Sequence, residues 1–234
     1  MYVALSNKGK ELEINTSYGR FARYPVSTPV IGTGDDIAEV LRKSLSGRLE
    51  KGDICFVSEK SVACAQGRAI PVEDIRPGVL AAVLSHFVHK SSHGIGLSMP
   101  ETMEVALQEC GVARILLASA VSAVGKLFGR RGWFYLVAGE RAAAIDGPCP
   151  NTLPPYNRCV VPAPLHPDLE CRRIALAIGC QVAIVDVNDL GGKVLGVSSE
   201  KVDKSLIVQA LRDNPLGQGD EHTPAGILRS VGRD

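Results

Sequence analysis

Three features of this 234-residue sequence predict an α+β fold. Short apolar runs with strand character recur along it, as in "DICFVSE" and "QVAIVD". Stretches whose apolar residues fall at helical spacing lie among them, as with Ile37, Val40, Leu41 and Leu45. The two kinds do not alternate strictly as βαβ units, so mixed sheets with helices are expected.

Taken in order, "YVALSNKGKELEI" reads as two short strands around an Asn-Lys-Gly turn, and "YPVSTPVIGTG" as extended chain broken by Pro25 and Pro29. A helix is expected from about Asp35, with acid in its first turn to suit the helix dipole. "KGDICFVSEK" is turn then strand. Pro77 opens an apolar helix reaching about Lys90. Ser98 and Glu101 have the spacing of a capping box before "TMEVALQECG", with Gly111 as the stop. "ARILLASAVSAV" is a buried segment that periodicity assigns to neither helix nor strand. "RGWFYLVAGERAAAID" reads as a hairpin around Ala138-Gly139-Glu140-Arg141, ending on Asp146.

Seven of the fourteen prolines fall between Gly147 and Pro167, which predicts a stiff crossover. This divides the chain into an N-terminal part (1–146), the crossover (147–167) and a C-terminal part (168–234). Beyond the crossover a helix (Leu169 to Ile178), a strand ending near Asp186, a second strand through "KVLGVS" and a helix (Glu200 to Arg212) are expected. The loop "NPLGQGDEHTPAG" follows.

Lys and Arg number 26 against 25 Asp and Glu, so no net field recruits nucleic acid or an anionic membrane. Neither partner is expected. The N-terminus lacks a basic stretch followed by an apolar one, and no apolar run approaches a membrane span. The seven cysteines form no CxxC pair and read as reduced thiols in a cytoplasmic protein.

Neither a P-loop nor a dinucleotide-binding glycine motif is present. His86, His89 and His93 lack the spacing of a zinc helix and read as structural. Acid at strand ends is the stronger signal: Asp146 after "AAAI", Asp186, Asn188 and Asp189 after "VAIV", and Asp220 with Glu221 in a glycine-rich loop. Two carboxylates 4 Å apart repel by about 4 kcal/mol at an effective dielectric near 20. A hard cation such as Mg²⁺ or Mn²⁺ would relieve that, taking carboxylate, amide and phosphate oxygens. The same residues also serve as caps of turns and helices. Lys60, Lys126, Arg130 and Arg131 offer positive charge for phosphates, or solvated turns.

"GDICFVSEKSVACAQGR", "AVGKLFG" leading to "AAAID", "VAIVDVNDLGG" and "GQGDEHTPAGILR", in this order, resemble the gamma-glutamyl ligase family that adds glutamate to the deazaflavin coenzyme F420. The resemblance runs from about Pro25 to Arg229. It implies two intertwined α+β subdomains, a homodimer, GTP as phosphoryl donor and Mg²⁺ or Mn²⁺. It places Thr28, Pro29, Val30, Ile31, Glu59, Lys60, Gly217, Gln218 and Gly219 at the nucleotide. Metal ligands then come from Asp146, Asp186, Asn188, Asp189 and Gln218, with Lys60 and Lys126 neutralising phosphates.

The sequence departs from the family pattern at several points. Cys64 stands where a lysine is usual, with Lys60 the nearest replacement. "GPCPN" replaces a Ser-Asn, Asn188 aligns with a metal aspartate, and Gln218 replaces a loop glutamate. "HKSSHGIGLSMPETMEVALQECG" has no counterpart. The implied reaction adds L-glutamate to a carboxylate acceptor, the F420 precursor or a related compound, through an acyl phosphate. A metal-dependent phosphohydrolase and a non-catalytic nucleotide- or flavin-binding protein are the alternatives.

Overall fold

The computed structural model describes residues 6–88, 96–130, 132–188, 191–217 and 221–232. Among them are eight strands: β1 (Glu13–Thr16), β2 (Gly19–Val26), β3 (Ile54–Ser58), β4 (Ile70–Pro71), β5 (Cys159–Val160), β6 (Gln181–Asn188), β7 (Gly191–Val197) and β8 (Ala225–Val231). The α-helices are α1 (Ile37–Ser44), α2 (Glu59–Ala65), α3 (Val79–Ser85), α4 (Pro100–Cys110), α5 (Val112–Leu127), α6 (Trp133–Ala138), α7 (Glu140–Ala143), α8 (Pro167–Ile178) and α9 (Lys204–Ala210). The fold is α+β. The chain forms two compact units, one of Met1–Gly67 with Pro164–Asp234, the other of Arg68–Ala163.

The first unit is built on a six-stranded mixed sheet in the order β1-β2-β8-β3-β6-β7. Its β3–β6 pair is parallel and the other pairs are antiparallel. Side chains alternate across the central strands and both faces are covered, which is why these strands read as continuous apolar runs. Cys55, Val57, Val182, Ile184, Ala225 and Ile227 join one layer with Leu41 of α1, Val62 of α2 and Ile174 of α8. Phe56, Ala183, Val185 and Leu228 join the other, with Ile207 and Leu211 from α9 and its end. Burying each such Val, Leu or Ile contributes about 1.5–3 kcal/mol.

An ion pair between half-buried Arg229 and buried Asp53 fastens β8 to the turn before β3. Arg229 donates from Nε to Asp53 Oδ1 at 2.8 Å and from Nη2 to Oδ2 at 2.7 Å. Asp53 also accepts from the Glu50 amide at 2.8 Å.

Strand β8 is absent from the sequence-based expectation, which ends in a loop. Its residues "AGILRSV" follow a glycine- and proline-rich stretch and include Gly226 and Arg229, which dilute the strand signal. Pro25 lies inside β2 rather than breaking it. Arg23 N donates to Leu12 O on the β1 side. Two residues on, Pro25 turns its donorless nitrogen the same way, beyond the paired end of β1, so no ladder bond is lost. The expected helix near Asp35 is α1, with Asp36 as N-cap accepting from Ala38 N at 3.0 Å.

Among its described residues the second unit is mostly helical, with the short β4–β5 pair and an isolated bridge between Asp146 and Val161. Gly111, at φ +86°, ends α4 and starts α5, and the two helices meet at 120°. "ARILLASAVSAV" is therefore helix, and the expectation that it is buried does not hold: only Ile115 and Ala118 within it are buried, and most of the rest is exposed. The N-cap position falls on Met99 rather than on Ser98. Met99 is the N-cap without a side-chain cap bond, Pro100 takes the first helical position, and Thr102 Oγ1 donates to Gly96 O and Met99 O.

The expected hairpin over 131–146 is, in its described residues from 132, instead α6 and α7, joined at Gly139 with φ +87°. Phe134, Ala138 and Ala142 recur every four residues and are all buried, followed by Ile145. That helical period prevails over the strand propensity of Trp, Phe and Tyr. Among the described residues no single helix is long and apolar enough to cross a membrane.

Candidate functional site

The register of the first unit's sheet brings several sequence-selected residues to one end. Val26 opposes Ala225, Ala225 opposes Val57, Ser58 lies beside Val185, and Asp186 opposes Lys193. This is the carboxyl end of the parallel strands β3 and β6, where ligands of sheets with parallel strands tend to bind. Thr28–Ile31 follows β2 there, Glu59 and Lys60 open α2 there, and β6 runs on there to Asp186 and Asn188.

These residues also share a face. Ile31, Val62, Ala65 and Ile184 belong to the same apolar layer. By the two-residue period of β6, Asp186 and Asn188 continue the face of Val182 and Ile184 past that layer, and both are exposed. Glu59 is buried at the first position of α2, and Lys60 is half-buried. Cys64 is buried one helical turn after Lys60 on the same side of α2, so Lys60 can offer a cation from the face where Cys64 cannot.

Thr28 is largely buried, and its hydroxyl donates to Pro29 O at 2.8 Å. Its backbone N–H donates to His222 O at 3.2 Å. Pro29 and Val30 are exposed while Ile31 anchors the segment in the core. Gly217 has φ +79°, and a Cβ there would lie 2.4 Å from the Glu221 carboxyl carbon. The left-handed backbone there favours glycine, and the end of the flexible Glu221 side chain packs against it. Asn214 Nδ2 holds Gly217 O at 2.9 Å. Asp189, Gln218 and Gly219, with Asp220, lie outside the described residues.

Two candidates belong to the second unit. Asp146 is exposed, just after buried Ile145, and exchanges two 2.9 Å backbone hydrogen bonds with Val161. Lys126, in the last turn of α5, donates from Nζ to Phe87 O, a carbonyl just past the end of α3. A cation there complements the negative end of that helix. His86 bonds the Ala82 carbonyl of its own helix at 2.7 Å through Nδ1, while His89 and His93 lie outside the described residues.

The sequence-based reading passed over Lys193, Ser58 and residues 222–224. Lys193 sits directly across from Asp186 because β6 and β7 pair in that register, with a shift at Ile184/Val185. Strand register is set by long-range pairing, and no local motif announced it. Among the described residues no three His, Cys, Asp or Glu side chains cluster as a metal site. Asp186 and Asn188 do provide hard oxygen donors on one strand face. Such donors suit Mg²⁺ or Mn²⁺, which take few protein ligands when phosphates and water complete the shell.

Residues 25–202 match the family described as F420-0:Gamma-glutamyl ligase. The chain is 26% identical over 230 residues to the coenzyme F420:L-glutamate ligase of Methanopyrus kandleri, covering 85% of this chain and 82% of that protein. It is 32% identical over 81 residues to the coenzyme F420:L-glutamate ligase of Methanosarcina barkeri, covering 35% of this chain and 31% of that protein. The matched span contains Thr28–Ile31, Glu59, Lys60, Asp146, Asp186 and Lys193. The chain belongs to the F420-0:gamma-glutamyl ligase family and is an enzyme of the gamma-glutamyl ligase type.

Proposed function

We propose that this enzyme joins L-glutamate to a carboxylate acceptor of the F420-precursor class, with a nucleoside triphosphate, GTP by resemblance, as the energy source. The observation that carries this reading is the gathering of Thr28–Ile31, Glu59, Lys60, Asp186 and Asn188 on one face and at one end of the sheet, within a family match spanning most of the chain.

In the proposed reaction an oxygen of the acceptor carboxylate bonds to the γ-phosphorus as the bond to the β-bridging oxygen breaks, which releases the nucleoside diphosphate. The glutamate nitrogen then bonds to the acyl carbon, inorganic phosphate leaves, and the amine proton passes to solvent. Catalysis of such transfers rests on positioning and charge stabilisation. Lys60 neutralises the phosphates, Lys193 sets the charge beside Asp186, and the Thr28–Ile31 backbone orients the nucleotide. Asp186 and Asn188 would hold Mg²⁺ or Mn²⁺, which supplies charge neutralisation at the phosphates when bound. The exposed apolar face of α5 supports a homodimer, and the seven free cysteines fit a reducing compartment.

The test is an assay with an F420-type acceptor, L-glutamate, GTP or ATP, and Mg²⁺ or Mn²⁺. One diphosphate per amide formed is expected, and hydroxylamine should divert the acyl phosphate to a hydroxamate. Phosphate release that needs no glutamate, with no amide, would instead make the chain a phosphohydrolase.

A further inference from the structure

Three residues preceding β8 connect two segments of the site through an arrangement that the reaction scheme does not use. The carbonyl of His222 accepts the Thr28 N–H at 3.2 Å, and the carbonyl of Pro224 accepts the Ser58 N–H at 2.7 Å. Thr28 begins the Thr28–Ile31 segment, and Ser58 directly precedes Glu59 and Lys60. Between those two carbonyls sits Thr223, only 8% exposed.

Its side chain is held from both sides. The Thr223 hydroxyl donates to Leu216 O at 2.8 Å and accepts from Asn7 Nδ2 at 2.8 Å. The same Asn7 amide nitrogen donates to Pro215 O at 2.9 Å. His222 next door has φ +53°, a conformation that a non-glycine residue keeps only where its surroundings impose it. A hydroxyl with both roles filled, buried beside a strained backbone, fixes where the two neighbouring carbonyls point.

We propose that Thr223 is a positioning residue for nucleotide binding, holding the Thr28–Ile31 and Ser58–Lys60 backbones in mutual register through the carbonyls on either side of it. This rests on the functional reading above for the identity of the ligand, though not for the register itself. Asn7 acts in the same clasp. Valine at 223 keeps the shape while removing both hydrogen bonds, whereas serine keeps the hydroxyl.

Two measurements on Thr223→Val, Thr223→Ser and the unaltered protein decide it. Amide hydrogen exchange, without ligand, should be faster at Thr28 and Ser58 in Thr223→Val than in the unaltered protein and return in Thr223→Ser. In the ligase assay, KM for GTP should rise roughly tenfold in Thr223→Val with kcat little changed, the scale of losing the hydroxyl's buried hydrogen bonds. Serine should restore it. Unchanged exchange at Thr28 and Ser58 in a folded valine variant overturns the positioning role. Faster exchange with unchanged KM overturns its bearing on nucleotide. If the unaltered protein uses no nucleotide, the functional reading and the nucleotide half fall together, while the exchange result still judges the register. Should Thr223→Val not fold, Asn7→Ala loosens the clasp from its other end, and the same readouts apply.

Discussion

Gly226 of β8 lies directly opposite Phe56 of β3, and a Cβ at Gly226 would sit 2.3 Å from the ring Cζ. Phe56 is fully buried, so its ring has nowhere to move. The missing side chain at 226 is what lets β8 pass between β2 and β3 while the ring fills the layer against α9.

Gly226→Ala is therefore expected to destabilise the protein by about 1–3 kcal/mol through overpacking. Denaturant titration measures it. Phe56→Leu alone should also destabilise, by losing packed volume, but in the double variant the two costs should sum to less than their separate values, since each relieves the other's misfit. Strict additivity would show that the close approach carries no strain.

Acid dependence follows from the tie between α1 and α8. Arg173 of α8 donates to Asp36, the N-cap of α1, and holds its carboxyl below its ordinary value near 3.8. Glu39, next to Arg42 and Lys43, is drawn down to about 2. A folded-state value below the unfolded one means the stabilisation is present above the unfolded value and is lost as pH falls through the folded one. Asp36→Asn keeps a good cap but loses the charge facing Arg173. The variant should melt lower than the unaltered protein at pH 7, and the gap in Tm should narrow between pH 5 and pH 3. A gap independent of pH would remove the ion pair as its cause.

What could be read from the sequence tracks what is local. The helix start near Asp35, the stop at Gly111 and the apolar run of β6 depend on a few neighbours, and each was visible; that Asp36 is the cap was not. Strand β8 was not, because its place between β2 and β3 rests on pairing across some 170 to 210 residues of chain, with Gly226 accommodating a ring that sequence proximity cannot reveal. The α6–α7 stretch misled because aromatic β-propensity and the i, i+4 burial of Phe134, Ala138 and Ala142 pointed in opposite directions, and packing decided. At the candidate site, Lys60 and Asp186 were selectable by chemistry and Glu59 by the family resemblance alone. Lys193 and Thr223 matter through register and buried hydrogen bonds, which a one-dimensional pattern does not carry.

The metal assignment yields a separate expectation. Asp186 is exposed, so Asp186→Asn should change stability by only about 0.5 kcal/mol or less in the absence of ligands. If Asp186 ligates the cation, titration calorimetry at fixed GTP should show Mn²⁺ affinity lowered by roughly tenfold or more. Thermal stabilisation by GTP should likewise need Mg²⁺ or Mn²⁺ and vanish with chelator, since phosphates and carboxylates otherwise repel. Unchanged Mn²⁺ affinity in Asp186→Asn would take that residue out of the ligand set.

The outer side of α5 predicts self-association. Leu117, Val124, Leu127 and Phe128 are 58%, 48%, 85% and 74% exposed, with Leu116 beside them. Together they present apolar surface on the order of 500 Å², comparable to the largest apolar patch of a typical monomer, which often serves a function, and a substantial part of the ~800 Å² each partner contributes to a stable interface. Light scattering at micromolar concentration should give about twice the chain mass of 24.8 kDa. Leu117→Glu combined with Leu127→Glu would bury two charges in such a seam, so the doubly substituted protein should run as a monomer. Because both side chains face water within a single copy, its circular dichroism and monomer unfolding should stay close to those of the unaltered chain. A monomeric mass for the unaltered protein, or a dimer that survives both glutamates, would place any subunit contact away from α5.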